Sequence, residues 1–266
     1  MPSRLSTRIV RAKIQNLERY INKQRYIPAT EVYRTKVVLP LFSKALTVGR
    51  AICLLVDEGF PSEAFAMSRT LLEMYFYLRY MSNKDTEKRI TAYVEYFGKT
   101  HEAWGEIAAK YYPNKAITIS PHHKELMALA KKFKSKHYWS DLRGQFKFMA
   151  LEEDTRELDK HGHPFKSDFD YEVIYFWTSQ YVHVTILALN EHASERGAVF
   201  KVRPSKHAED KRGITALFNV LFCLSKIFVC GYRIIHEDQP EEILQDIHRT
   251  TKRYARLKKR GMPKAK

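Results

Sequence analysis

Apolar residues recur along most of this 266-residue chain at intervals of three and four, which is the period of an amphipathic α-helix. The first such stripe predicts a helix that ends near Gln24 and is formed by Ile9, Ile14, Leu17 and Ile21. No set of alternating, strand-like segments accompanies it, and only ten glycines and ten prolines interrupt the chain. The pattern therefore predicts an all-α fold, a multi-helix bundle of antiparallel long helices.

Turn and capping residues place the next two helices. Thr30 is a good N-cap for a second helix, in which we expect Pro40 to cause a kink or to trim the first turns. Gly59 stands where a left-handed C-terminal cap belongs, Phe60 follows as its hydrophobic contact, and Pro61 opens the third helix. These signals predict a tight antiparallel hairpin of helices two and three.

Further periodic segments fill the rest of the chain. They predict helices at about 85–111, 124–133, 145–158, 171–190, 213–235 and 241–259, with loops that include 159–170 and 191–212. We expect residues 1–266 to form a single helical domain with basic terminal helices at 1–26 and 241–266.

The apolar run at 216–230 raises the question of a membrane span. It has 15 residues and contains Asn219 and Lys226, whereas a span takes about 20 clean apolar residues. We interpret it as a buried helix and expect no transmembrane segment. Residues 1–26 lack the hydrophobic stretch of a secretory signal, and the three cysteines, each within an apolar helical run, are typical of reduced core thiols. These features predict a cytoplasmic protein.

The net charge of +16 is concentrated at the two ends of the chain. Residues 1–26 contain seven Lys/Arg and one Glu (+6), and residues 249–266 contain nine Lys/Arg and no acid (+9), which leaves +1 for the 222 residues between them. In the last segment Tyr254 and Leu257 keep one helix face apolar while basic residues face outward. The basic residues are Lys252, Arg253, Arg256, Lys258, Lys259 and Arg260. Such a surface attracts RNA or DNA phosphates, although an anionic lipid surface or plain solvent would also accommodate it.

Two segments that are apolar on nearly every helical face also carry polar groups. Arg69 and Glu73 lie four residues apart within 61–81. A polar stripe at steps of three and four within 171–190 comprises Glu172, Tyr175, Ser179 and His183. A helix that is hydrophobic all round is buried, and buried charge persists only when it is paired and hydrogen-bonded. We therefore expect these six side chains to meet in the interior.

Two interpretations of this cluster are open. In the catalytic one, His183 is a general base or a nucleic-acid contact that Arg69 and Glu73 tune, with Tyr175 and Ser179 in support. In the structural one, the same groups form a satisfied polar core that fixes the register of the helices.

These segments resemble a mainly bacterial family that is catalogued as domain of unknown function 5677. The resemblance covers roughly Val37 to Asn190 and implies the fold and the polar cluster, without implying a reaction. The matching residues are Gly59, the Glu63-Ala64 pair, Arg69-x-x-x-Glu73 and Tyr175-x-x-x-Ser179-x-x-x-His183.

More distantly, the predicted bundle resembles the higher eukaryote and prokaryote nucleotide-binding (HEPN) helical domains, many of which are ribonucleases of toxin and phage-defence systems. Their active motif is an Arg and a His separated by four to six residues. Arg156 with His161 or His163 has that spacing, at a helix end that runs into a Gly-Pro loop. The resemblance implies RNA cleavage, at this motif or at His183.

Metal and cofactor sites are not indicated. Imidazoles and carboxylates crowd the loop at 159–170, but useful metal sites draw their ligands from rigid elements at set spacings. The chain contains no H-E-x-x-H motif, no Gly-rich phosphate loop and no dinucleotide fingerprint. We expect neither a metal nor a cofactor.

Together these features predict a cytoplasmic, RNA-associated binding module in a bacterial defence or stress context. The first alternative is a HEPN-like ribonuclease or toxin that uses the Arg-Glu-His cluster. The second is a non-catalytic protein-interaction component, for which a homodimer through the apolar faces of the terminal helices is expected.

Overall fold

Helices dominate the computed structural model, which confirms the all-α class. The described residues are 2–23, 32–83, 85–111, 121–132, 174–183, 193–196, 199–202 and 210–236, together with 245, 249 and 250. Within them the helices are α1 (Pro2–Lys23), α2 (Val32–Asp57), α3 (Pro61–Asn83), α4 (Thr86–Tyr111), α5 (Pro121–Ala130), α6 (Phe176–Val182) and α7 (Asp210–His236). The predicted helix at 145–158 and most of the one at 241–259 lie outside the described residues.

One small β-hairpin occupies part of the segment that the sequence predicts to be a loop. Strands β1 (Ala193–Arg196) and β2 (Val199–Val202) pair antiparallel, and α7 begins at Asp210. The prediction of a loop throughout 191–212 is therefore wrong. Four-residue strands of mixed composition are too short for a period-two pattern to identify them.

The turn between α2 and α3 has the predicted cap. Gly59 has φ 83°, in the left-handed region. The N–H of Phe60 donates to the carbonyl oxygen of Leu55 at 2.7 Å, and that of Gly59 to Val56 at 3.2 Å. These two bonds form a Schellman motif, which ends α2 and reverses the chain into α3.

Helix α2 runs through Pro40 without losing its first turns. It begins at Val32, eight residues before the proline, so Pro40 does not trim the first turns, and the alternative expectation of a kink stays a prediction. Val37 and Val38 are buried just ahead of Pro40, and Phe42 just after it. Burial of these side chains holds the helix on both sides of the missing N–H donor.

The core lies among α1, α2, α3 and α7. Gly49 of α2 faces Val220 of α7, and Gly231 of α7 faces Phe42 of α2, which shows that these two helices are antiparallel. The contacts Ser68–Asn219 and Tyr75–Lys226 show that α3 and α7 run parallel. Helix α2 therefore runs antiparallel to α7, whereas α3 and α7 point the same way.

Polar contacts cross the seam between α3 and α7. Asn219 Nδ2 donates to Ser68 Oγ at 3.1 Å, and Lys226 Nζ donates to Tyr75 Oη at 3.2 Å. Arg79 Nη1 donates to the same hydroxyl at 3.1 Å, and all five side chains are buried. Tyr75 follows Ser68 by seven residues, and Lys226 follows Asn219 by seven, so the second polar contact lies two helical turns after the first. The polar groups of the apolar run 216–230 thus have partners on α3 that fix the helix register.

Two of the described helical segments, Arg34–Asp57 and Arg212–His236, are long and apolar enough to cross a bilayer. The core helix of a bundle passes the same test of length and composition. In α7 the share of the apolar window buried inside the molecule is 78%, and in α2 it is 50%.

Candidate functional site

The guanidinium of Arg69 is the centre of a polar cluster between α3 and α6. Its Nε donates to Glu73 Oε1 at 2.9 Å, one turn further along α3. Its Nη2 donates to Tyr175 Oη at 2.7 Å, and its Nη1 lies 3.1 Å from Nε2 of His183. The predicted meeting of Arg69, Glu73, Tyr175 and His183 is therefore present in the structure.

The contact between Arg69 and His183 assigns the donor and acceptor roles of the two nitrogens. An arginine side chain carries only donors, so a hydrogen bond here has Nε2 of His183 as its acceptor. The site thus places an exposed imidazole beside a permanent positive charge.

Aromatic packing positions α6 on α3. The ring of Phe65 meets that of Tyr181 edge-on at 5.4 Å, and Phe76 lies 6.2 Å from Tyr175. Thr178 is fully buried between these contacts, and its hydroxyl donates to the carbonyl oxygen of Ile174 at 2.9 Å. Arg69 also lies over the Tyr175 ring, with Cζ 4.6 Å from the centroid. One face of α6 thus anchors to α3.

The cluster is more open to solvent than the sequence predicts. The side chain of Arg69 is 18% exposed and that of Glu73 is 29% exposed, and His183 belongs to the exposed residues. The expectation of a fully buried cluster is wrong, because α6 buries only the face around Thr178. His183 lies at the end of the helix, where its N–H donates to the carbonyl oxygen of Ser179 at 3.0 Å.

Only residues 174–183 of the predicted helix at 171–190 belong to the described part of the chain. Helix α6 covers Phe176–Val182, and a π-helical turn at 174–175 precedes it. Ser179 Oγ donates to the carbonyl oxygen of Tyr175 at 2.6 Å, so its hydroxyl contacts the helix backbone. Glu172, the remaining member of the predicted stripe, lies outside the described residues.

Two aromatic side chains beside the cluster are exposed, which the sequence does not predict. Phe176 is 52% exposed and Trp177 is 46% exposed. In an apolar helical segment both are expected in the core, and only the direction in which α6 packs shows that they are not. No local sequence signal could have identified them.

The basic N-terminal helix α1 has two basic side chains that contribute less to its outer positive surface. Arg11 pairs with Asp57 at 2.7 Å, and Lys13 is buried. The apolar stripe of α1 packs into the same core. The outward positive surface of α1 is therefore smaller than its +6 suggests.

The other predicted sites lie outside the described residues, and those predictions stay untested. They are the Arg156, His161 and His163 spacing and the basic residues Lys252, Arg253, Arg256, Lys258, Lys259 and Arg260. Among the residues that the structure describes, no group of three or more His, Cys, Asp or Glu could hold a metal ion.

Comparison with known proteins gives one relationship. No curated protein and no solved structure matches the chain significantly. Residues 35–199, more than half of the chain, match a family of unknown function, DUF5677. The match spans α2 to α5, α6 and both members of the Arg69–His183 contact. The chain therefore belongs to the DUF5677 family, in agreement with the resemblance carried by its Arg-x-x-x-Glu and Tyr-x-x-x-Ser-x-x-x-His motifs.

Proposed function

We propose that this protein is a cytoplasmic RNA-associated protein whose Arg69–His183 site contacts a backbone phosphate. The single observation that carries the proposal is the orientation of the Arg69 guanidinium toward an exposed imidazole. Arginine is well suited to phosphate because its planar donors match the oxygens of the anion. The bacterial defence or stress context rests on the family resemblance alone.

The cluster prepares Arg69 for an external acceptor. Glu73 and Tyr175 hold Nε and Nη2, so the guanidinium is fixed before a ligand arrives. Among the described contacts three of its five N–H hydrogens have acceptors, which are Glu73, Tyr175 and His183, and each terminal nitrogen has a second hydrogen to donate. A phosphate oxygen can approach from the exposed His183 side. Fixing the donor in advance lowers the entropic cost of binding.

Long-range charge supports the same ligand class. The chain carries +16, mostly at its ends, and Arg212 lies over the Tyr181 ring of α6 at 5.4 Å. A positive surface raises the rate and affinity of RNA association, and the affinity then falls steeply with salt.

The test is fluorescence anisotropy of the full chain with a labelled RNA strand at several salt concentrations. We expect Arg69→Gln to weaken binding about tenfold, the usual size for loss of one charge-assisted contact. Arg50→Gln is the matched control, since it removes the same charge from an ion pair that joins α2 to Glu18 of α1. Deletion of residues 249–266 should weaken binding and flatten the salt dependence. Affinity that survives both changes and about 0.5 M salt contradicts the proposal.

RNA cleavage is the second candidate function, and the exposed imidazole beside Arg69 favours it. The contact between Arg69 Nη1 and His183 Nε2 would first open, because the single lone pair of Nε2 cannot accept from Arg69 and from a substrate at once. Nε2 would then take the proton of a 2′-hydroxyl, and the resulting oxygen would attack the adjacent phosphorus. The bond from phosphorus to the 5′-oxygen breaks, and that oxygen receives the proton from His183. The products are a 2′,3′-cyclic phosphate and a 5′-hydroxyl, while Arg69 stabilises the charge that develops on the phosphoryl oxygens.

Cleavage is tested with end-labelled RNA and by growth of cells that overexpress the chain. His183→Ala should lower the rate of cleavage at least about 100-fold, which is the usual contribution of a general base, while the protein stays folded. Circular dichroism and thermal unfolding of the variant provide the control. If His183→Ala unfolds the protein, the structural interpretation of the cluster replaces the catalytic one.

A further inference from the structure

Helix α6 exposes two aromatic rings beside the phosphate-binding site. Phe176 is 52% exposed and Trp177 is 46% exposed, and their rings meet edge-on at 5.8 Å. The other aromatic residues of this segment, Tyr175 and Tyr181, pack against α3. The anchoring of α6 therefore does not require Phe176 or Trp177.

The geometry of α6 places one of these rings in line with the cluster. Phe176 and His183 are seven residues apart, close to two full helical turns, so they project from nearly the same face. Their separation along the helix axis is about 10 Å. Thr178 is buried against α3 and lies on the opposite face of α6.

We propose that Phe176 stacks an unpaired base while Arg69 and His183 contact the phosphate of the same strand, so that the ligand is single-stranded RNA. This inference rests on the proposed function. Every base has an aromatic face, and bases stack on exposed aromatic side chains with little regard to sequence. In a duplex those faces are covered by neighbouring base pairs, so a ring on a helix surface cannot reach them. Trp177 braces the Phe176 ring through its edge contact.

Three labelled ligands separate base stacking from phosphate contact in anisotropy measurements with the full chain. They are a single-stranded RNA, the duplex of the same sequence, and an abasic strand of equal length that retains its phosphates. We expect Phe176→Ala to weaken binding of the single strand about 5- to 100-fold. The same variant should bind the abasic strand as the unchanged protein does, and Phe176→Trp should retain affinity for the single strand.

Trp104→Ala is the matched control, because Trp104 is a similarly exposed aromatic residue (55%) on α4. Thermal unfolding of each variant verifies that the fold is kept. Equal affinity for the single strand and the duplex, or an unchanged affinity after Phe176→Ala, overturns the stacking proposal while the phosphate site stands. Failure of the unchanged protein to bind any of the three ligands overturns the proposed function and this inference together.

Discussion

At the scale of single residues, the Arg69 cluster contributes more to orientation than to stability. The Arg69–Glu73 pair is partly exposed, and an i,i+4 ion pair in that environment is worth about 0.5 kcal/mol or less. Fixing of helix register is already provided by the buried contacts Ser68–Asn219 and Tyr75–Lys226. The partly exposed guanidinium of Arg69 is therefore not required for the register of α3 and α7, which is compatible with the proposed external ligand.

Cys53 is one of the described residues whose ionisation links stability to pH. Burial raises the pKa of the Cys53 thiol to about 12, against 9.0 ordinarily. Above pH 9 the unfolded chain loses this proton while the folded chain retains it, so the free energy of unfolding should fall by a few kcal/mol as pH rises toward 12. Thermal unfolding between pH 8 and 11 measures the effect. Cys53→Ala should show a shallower decline, and an equal decline in both proteins contradicts the prediction.

Sequence reasoning predicts which polar residues meet in the cluster but not how exposed they are. Arg69 and Glu73 share a helix, and Tyr175 and His183 share a stripe, so their partners follow from helical spacing and the cost of buried charge. Exposure depends on which face of α6 packs against α3. That choice is made by the contacts of Phe65 and Phe76, two phenylalanines among many in apolar segments.

At the scale of helices and strands, capping chemistry is the most informative local signal. The Gly59 turn follows from the conformational freedom of glycine and the fixed φ of the proline after it, so the α2–α3 hairpin is predictable residue by residue. The β1–β2 hairpin is not. Its strands are short, and tertiary contacts rather than periodicity decide their limits.

Two glycines inside helices test how tightly the helices pack. A Cβ atom on Gly231 of α7 would lie 2.4 Å from Phe42 Cε1 and 2.8 Å from Val38 Cγ1, whereas one on Gly105 of α4 would have nothing within 4 Å. Gly231→Ala should therefore lower the free energy of unfolding by about 1–3 kcal/mol through overpacking. Gly105→Ala should raise it by about 0.5–1 kcal/mol through helix propensity.

Urea unfolding of the two glycine variants measures both effects, and each variant is the control for the other. Because the chemical change is identical, only the surroundings of the added methyl group differ. Equal stability of the two variants would show that α2 and α7 separate easily at Phe42.

At the scale of the whole molecule, a helical core with nearly balanced charge is joined to strongly basic ends. The apolar stripe of α1 already packs in the core, and part of its charge is paired there. The basic residues at 249–266 lie mostly beyond the described part of the chain, so the predicted nucleic-acid surface and homodimer there stay predictions. The distribution of charge follows from the sequence, whereas the parallel direction of α3 and α7 depends on contacts across more than 150 residues.

The fate of α7 in the cell tests this arrangement as a whole. In a bilayer, Lys226 at the centre of the helix would cost about 3 kcal/mol, while in the bundle it donates to Tyr75. Most of the apolar window of α7 is buried inside the molecule. After lysis without detergent, followed by ultracentrifugation, we therefore expect the chain in the supernatant. A salt wash at about 0.5 M should release any fraction that the basic ends hold on anionic lipid. A chain that stays in the membrane pellet after salt and alkaline carbonate would show that α7 inserts, and the contacts of Asn219 and Lys226 with α3 would then have to form within lipid.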